Sequence, residues 1–179
     1  MSLRTTLLIT FCITLCAVSV PSTAAAPRRG MAFVWKPLLS APASLVQAYR
    51  SDKQVSDPPP TPKDVRGAHF IKVMEPGQSR PLFLVDPNQD DLTGSAGSPL
   101  LGYIPQGSSY REVLDVSGYW SSVADAPDVK AARREAARGS VVVLKQQSHG
   151  LPVLFFPASS RRIPIRPWRF NGKEYECGW

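Results

Sequence analysis

Cysteine is nearly missing from this chain: three occur in 179 residues, and two of them, Cys12 and Cys16, fall in an N-terminal stretch that reads as a leader. Cys177 is then left without a partner in its own chain, which excludes an intramolecular disulfide and with it the stapled folds of small secreted toxins and inhibitors. The fold must hold by packing alone. Cys177 itself reads as a small buried hydrophobe, a free thiol or the link of a covalent dimer. A structural zinc site needs clustered cysteines and histidines, and the two histidines of the whole chain with one remaining cysteine do not supply it.

Other absences narrow the function. Neither Asn88 nor Asn171 stands in an N-x-Ser/Thr sequon. There is no P-loop, no dinucleotide-binding glycine pattern and no G-x-S-x-G; Gly94-Ser95-Ala96-Gly97 lacks the strand-to-helix setting that a nucleophile elbow needs. Asp86-Pro87-Asn88-Gln89-Asp90-Asp91 gathers carboxylates but lacks the glycine and distal glutamate of an EF-hand loop, and reads as a solvated turn. No metal and no cofactor is expected.

What the sequence does have begins with residues 1–26. Arg4 supplies a positive start, Leu7 to Val20 an apolar run short for a bilayer span, and Ser22-Thr23-Ala24 the small residues a peptidase requires. A secretory signal peptide over 1–26 follows, with cleavage between Ala24 and Pro27 and a second processing point after Arg29 of the pair Arg28-Arg29. The expected location is extracellular. Arg4 is the one charged side chain there, so of the net charge of +7 the remainder keeps +6. A basic surface of that size favours acidic partners, whether protein faces, nucleic acid or anionic lipid.

The remaining stretch of about 150 residues suits a single domain. Residues 27–67 form an N-terminal segment: a short helix near Ser40 to Arg50 with Ser40 as N-cap and Leu45, Val46 and Tyr49 on one face, then the extended spacer Asp57 to Pro62. Residues 68–179 form the core. Ala68–Met74 and Pro81–Asp86 predict a hairpin across Pro76-Gly77, and Leu100–Ile104 a further strand. Ser109-Tyr110-Arg111-Glu112 matches the S-x-x-E capping box and predicts a helix to Gly118. Asp128 and Gly139 bracket another helix. Ser140–Gln146 with Leu151–Phe156 predict a second hairpin, whose strand of unbroken apolar residues should be central. Trp168–Phe170 with Lys173–Cys177 predict a third, closed by Asn171-Gly172 as a two-residue type I′ turn. The fold class is α+β: one domain, a mostly antiparallel sheet of about three hairpins, and two to three helices on one face.

Three sets of residues are candidates for function. His69 and His149, with Glu112 or Glu75 and an arginine, hold the acid, base and phosphate clamp of a small secreted ribonuclease or other hydrolase if the fold converges them. Lys130, Arg134 and Arg138 recur every four residues and form a basic helix face. Arg161, Arg162, Arg166, Trp168 and Arg169 interleave guanidinium groups with prolines and rings, either to meet a partner or to guard a sheet edge.

Taken together, a signal peptide, the dibasic pair Arg28-Arg29, one Ala/Ser/Pro/Arg-rich domain and no enzyme motif resemble the small secreted effector proteins of plant-pathogenic fungi, the smut fungi in particular. The resemblance lies in organisation and assigns no residue a role. It implies secretion during infection and binding of a host protein, in the apoplast or after uptake into the host cell. The first expectation is a non-enzymatic interaction protein of this kind; the alternatives are the hydrolase and a bacterial periplasmic or extracellular binding domain.

Overall fold

The computed structural model describes residues 33–51, 60–88, 97–158 and 164–178. Among these residues ten strands divide at residue 120 into two sheets, each made from one contiguous stretch of chain. The first runs β1 (Lys36–Pro37), β2 (His69–Val73), β3 (Leu82–Asp86), β4 (Ser98–Gln106) and β5 (Ser109–Gly118), in chain order and antiparallel throughout. The second contains β6 (Ser122–Ala126), β7 (Ser140–Ser148), β8 (Leu151–Phe155), β9 (Pro167–Phe170) and β10 (Tyr175–Cys177), ordered β10-β9-β8-β7-β6.

Side-chain alternation decides how these sheets pack. Along β3, Leu82 and Leu84 point to one face and Phe83 and Val85 to the other, and along β7 Val141 and Val143 oppose Val142 and Leu144. Every one of these residues is buried, so both sheets are covered on both faces. The inner faces meet: Ile71, Leu84, Leu100 and Leu114 of the first sheet pack with Val141, Val143, Leu154 and Phe170 of the second. On the outer face of the first sheet lie α1 (Ala43–Ser51) and α2 (Pro62–Gly67), which bury Leu45, Tyr49 and Val65 against Phe70, Phe83 and Tyr103. On the outer face of the second lies α3 (Val129–Ala136), which seats Ala132 and Ala136 on Val142, Leu144 and Phe155. The result is four layers, helix, sheet, sheet and helix.

The α+β reading holds. The expected single sheet is two, and the helices lie on two outer faces instead of one, because α1 and α3 each follow a different sheet. Among the described residues the short-looped hairpins are β2–β3, β4–β5, β7–β8 and β9–β10, four in place of three. The additional one replaces the helix expected from Ser109 to Gly118: Gly107, at φ +61°, and Ser108 close a two-residue turn that pairs Gln106 with Ser109, and β5 then follows β4 to the Ser98–Gly118 pair. Its capping-box pattern is overridden by a bulge. Leu114 pairs with Gly102 while Glu112 pairs with Tyr103, so Val113 is the extra residue and both Val113 and Leu114 enter the inner core.

Smaller corrections have local causes. Ser40 is not an N-cap: its hydroxyl donates to the Pro37 carbonyl at 2.7 Å, closing a 3₁₀ turn over Leu38–Ser40, and the carbonyl of Pro42 accepts the first bonds of α1 from Leu45 and Val46. Of the expected extended spacer, 57–59 lie outside the described residues, and Pro62 instead opens α2. Thr61 and Asp64 form a capping box there, Asp64 accepting from the Thr61 amide and hydroxyl at 2.7 Å each. The β9–β10 connection is a four-residue loop, since Tyr175 pairs with Phe170; Gly172 takes φ +102°, and Asn171 Oδ1 accepts from the amides of Lys173 and Glu174. The helix between Asp128 and Gly139 is as read from the sequence, with Asp128 capping the Ala131 amide at 2.8 Å, and of the β7–β8 hairpin it is β8 that stands at the centre of the sheet, with β7 paired on both sides by β6 and β8. Strand β6, unread in the sequence, runs parallel to β7 with α3 as the crossover.

Candidate functional site

The second sheet is wider than its helix. Among its strands α3 packs on β6, β7 and β8, so the outer face of β9 is left beside the helix as the floor of a cleft. Along β9, Phe170 and Trp168 turn inward and Pro167 and Arg169 outward. The opposite wall is the last turn of α3. The cleft is lined by Arg133, Ala136 and Ala137 on that side and by Ile165, Arg166, Pro167 and Arg169 on the other, and encloses about 950 Å³.

Its chemistry is one-sided. Three arginines line it and, among the described residues, no aspartate or glutamate does. Arg169 lies over the Gly178 backbone: the Gly178 amide donates to the Pro167 carbonyl at 2.7 Å, and a Cβ on Gly178 would stand 2.9 Å from Arg169 Nη1. Glu176, paired across the strands from Arg169 and on the same face, is not among the lining residues of the cleft and accepts from Asn171 Nδ2 at 2.6 Å. The end of α3 contributes the negative pole of a short helix, an effect equivalent to about half a charge, which the guanidinium groups of Arg133 and Arg169 outweigh.

A second, apolar cleft adjoins the first and shares Pro157, Ala158, Pro164, Ile165 and Arg166 with it. It encloses about 200 Å³ between Trp120, Phe156, Trp168 and Cys177. The rings are fixed by their neighbours: Trp168 meets Phe156 edge to face at 5.3 Å, and Trp120 stacks on Trp35 at 5.7 Å. Cys177 is exposed here as a free thiol, opposite Trp168 in the β9–β10 ladder, not a buried hydrophobe.

Of the strip read from the sequence, the structure therefore brings Arg166, Trp168 and Arg169 to these two clefts, while Arg161 and Arg162 lie outside the described residues, as do Ala24 and Arg29. The basic helix face is partly dissolved. Lys130 is exposed, but Arg134 and Arg138 converge on Glu135, at 3.7 and 2.8 Å, and Arg138 stands in the turn beyond α3. The helix residue that reaches the cleft is Arg133, one position off the Lys130–Arg134–Arg138 row. The signal was its offset from the buried pair Ala132 and Ala136, which places Arg133 on the flank of the helix.

The two histidines do not converge. His69 opens β2 opposite Asp86, whereas His149 occupies the β7–β8 turn, which meets the loop after β2 through Ser79 N–H to Gly150 O at 3.3 Å. The rings thus stand toward opposite ends of a five-residue strand, roughly 13 Å at about 3.3 Å per residue. His149, at φ +49°, places Nδ1 3.2 Å from the Phe170 carbonyl. Glu112 lies on the outer face of the first sheet, in a shallow cleft beside Gln47 and Ser51 of α1. Asp86 sits next to His69, and its burial raises the carboxyl above the usual carboxylate range, against the Asn88 amide and His69, which lower it. Asp90 and Asp91 lie outside the described residues.

Among the described residues no group of three His, Cys, Asp or Glu side chains could hold a metal ion, and no helix is long and apolar enough to cross a membrane. No protein-family model, no curated protein and no solved structure matches this chain.

Proposed function

We propose that this protein is a secreted, non-enzymatic interaction protein that binds an acidic segment of a partner protein in the cleft between α3 and β9. Its organisation suggests the role of a virulence effector that engages a host protein and modulates host defence. The observation that carries the binding reading is the lining of the cleft: Arg133 from a helix and Arg166 and Arg169 from the strip leading into and along β9 share one concavity with no carboxylate among its described lining residues. Guanidinium groups pair with carboxylates as planar forks, so such a cleft selects anionic side chains presented together. The lack of any disulfide within the chain beyond residues 1–26 also suits a protein that ends its work in a reducing host cytoplasm. The separation of His69 from His149 leaves the hydrolase alternative without a shared cleft.

The test separates location from charge. A fluorescent 15-residue poly-glutamate peptide is titrated at low ionic strength into the purified chain, into Arg133→Ser/Arg169→Ser, and into Lys130→Ser/Arg134→Ser, which loses the same charge outside the cleft. Binding should weaken about tenfold in the first variant and less than twofold in the second. Equal losses in both would reduce the cleft to bulk charge and overturn the proposal.

A further inference from the structure

The basic cleft and the apolar cleft share a wall, and that wall limits what can occupy them together. Pro164, Ile165 and Arg166 form the boundary of both, so one ligand lying across this wall meets guanidinium groups on one side and rings on the other. The apolar cleft, at about 200 Å³, is smaller than the about 300 Å³ at which pockets for free small molecules begin. It has room for one large side chain. Building on the proposed acidic partner, we infer that the occupant is an extended peptide segment carrying clustered carboxylates next to a single bulky hydrophobic residue. The carboxylates meet Arg133, Arg166 and Arg169, and the hydrophobic residue enters between Trp120 and Trp168.

Charge complementarity fixes the acidic half, and arginine with tryptophan are the side chains that concentrate binding energy at protein interfaces. A nucleic acid would use the same guanidinium groups but would need free ring faces for its bases. Here the rings serve as walls: Trp120 already stacks on Trp35, and Trp168 packs against Phe156. That arrangement favours insertion of a side chain over stacking of a base.

The experiment uses labelled peptides with three aspartates and one phenylalanine, in both chain directions, against the purified full chain. Controls replace phenylalanine by alanine or the aspartates by asparagines. In at least one direction the complete peptide should bind at least tenfold more tightly than either control. Gly118→Trp, at a lining position on the same face of β5 as Val116 where an added Cβ meets nothing within 4 Å, fills the apolar cleft and leaves the arginines in place; it should abolish the advantage of phenylalanine while retaining affinity for poly-glutamate. If phenylalanine adds nothing in either direction, the inference is overturned while acidic binding stands. Should Gly118→Trp fail to fold, the phenylalanine-to-alanine comparison on the parent chain decides alone. Tighter binding of a single-stranded oligonucleotide than of every peptide would overturn both readings in favour of nucleic acid.

Discussion

Gly102 and Leu114 face each other across β4 and β5 so closely that a Cβ on Gly102 would stand 2.7 Å from the Cβ of Leu114. The bulge at Val113 turns Leu114 inward, and glycine opposite it is what leaves the space. Gly102→Ala should therefore destabilise the protein by about 1–3 kcal/mol through overpacking. Chemical denaturation would show it. Truncating Leu114 to alanine should give no rescue, because the crowding atom is Cβ itself.

The hairpin β9–β10 depends on different residues from those its exposed chemistry suggests. Phe170 is fully buried and Tyr175 nearly so, with its hydroxyl donating to the Pro152 carbonyl at 2.7 Å, whereas Trp168 is half-buried. Phe170→Ala should cost about 3–5 kcal/mol. Trp168→Ala should cost less and should lower affinity for the phenylalanine-containing peptide. Thermal melts of the two variants side by side rank them, and a larger loss for Trp168→Ala would contradict the burial pattern.

Asp86 introduces a pH dependence. Burial raises its carboxyl above the usual range, so relative to the unfolded chain the folded protein holds this proton more tightly. Its contribution to stability is present in full below the ordinary carboxylate value and is lost as pH rises through the folded-state value. Asp86→Asn keeps an acceptor for the Asn88 amide, now at 2.8 Å. The variant should flatten the stability profile over that window, as read by melts at stepped pH, and a profile identical to the parent would refute the assignment.

Processing and redox behaviour are tested together. Secreted material should show an N-terminus between residues 25 and 30 by mass spectrometry, and Met1 on exported protein would contradict the leader. Because Cys177 is a free, exposed thiol, reductant should leave the melting midpoint unchanged. A fall of several degrees with dithiothreitol would instead indicate a covalent dimer.

How much was legible in the sequence follows from where each signal resides. The hairpins β2–β3 and β7–β8 announce themselves because their strand composition and turn residues are local, and α3 because Asp128 and Gly139 stop it at both ends. β5 was misread because its capping-box pattern is equally local, whereas what decides its structure is the pairing with β4 and the burial of Val113 and Leu114 against a second sheet. The division into two sheets left no local mark either: apolar residues on both faces of β3 and β7 require two cover layers without saying what they are. For the site, Arg166, Trp168 and Arg169 stood out by their interleaving. Arg133 did not, because its role comes from the flank of α3 that β9 leaves uncovered.

Each sheet is built from one uninterrupted length of chain, β1 to β5 before residue 119 and β6 to β10 after 121. Ordering in time follows from this. As the chain is synthesised from its N-terminus, the first sheet can complete all its strand pairings before the second half appears, with Leu84, Leu100 and Leu114 bare to water until Val141, Val143 and Phe170 arrive to cover them. The interval between the two is when the molecule is most prone to associate with its own copies.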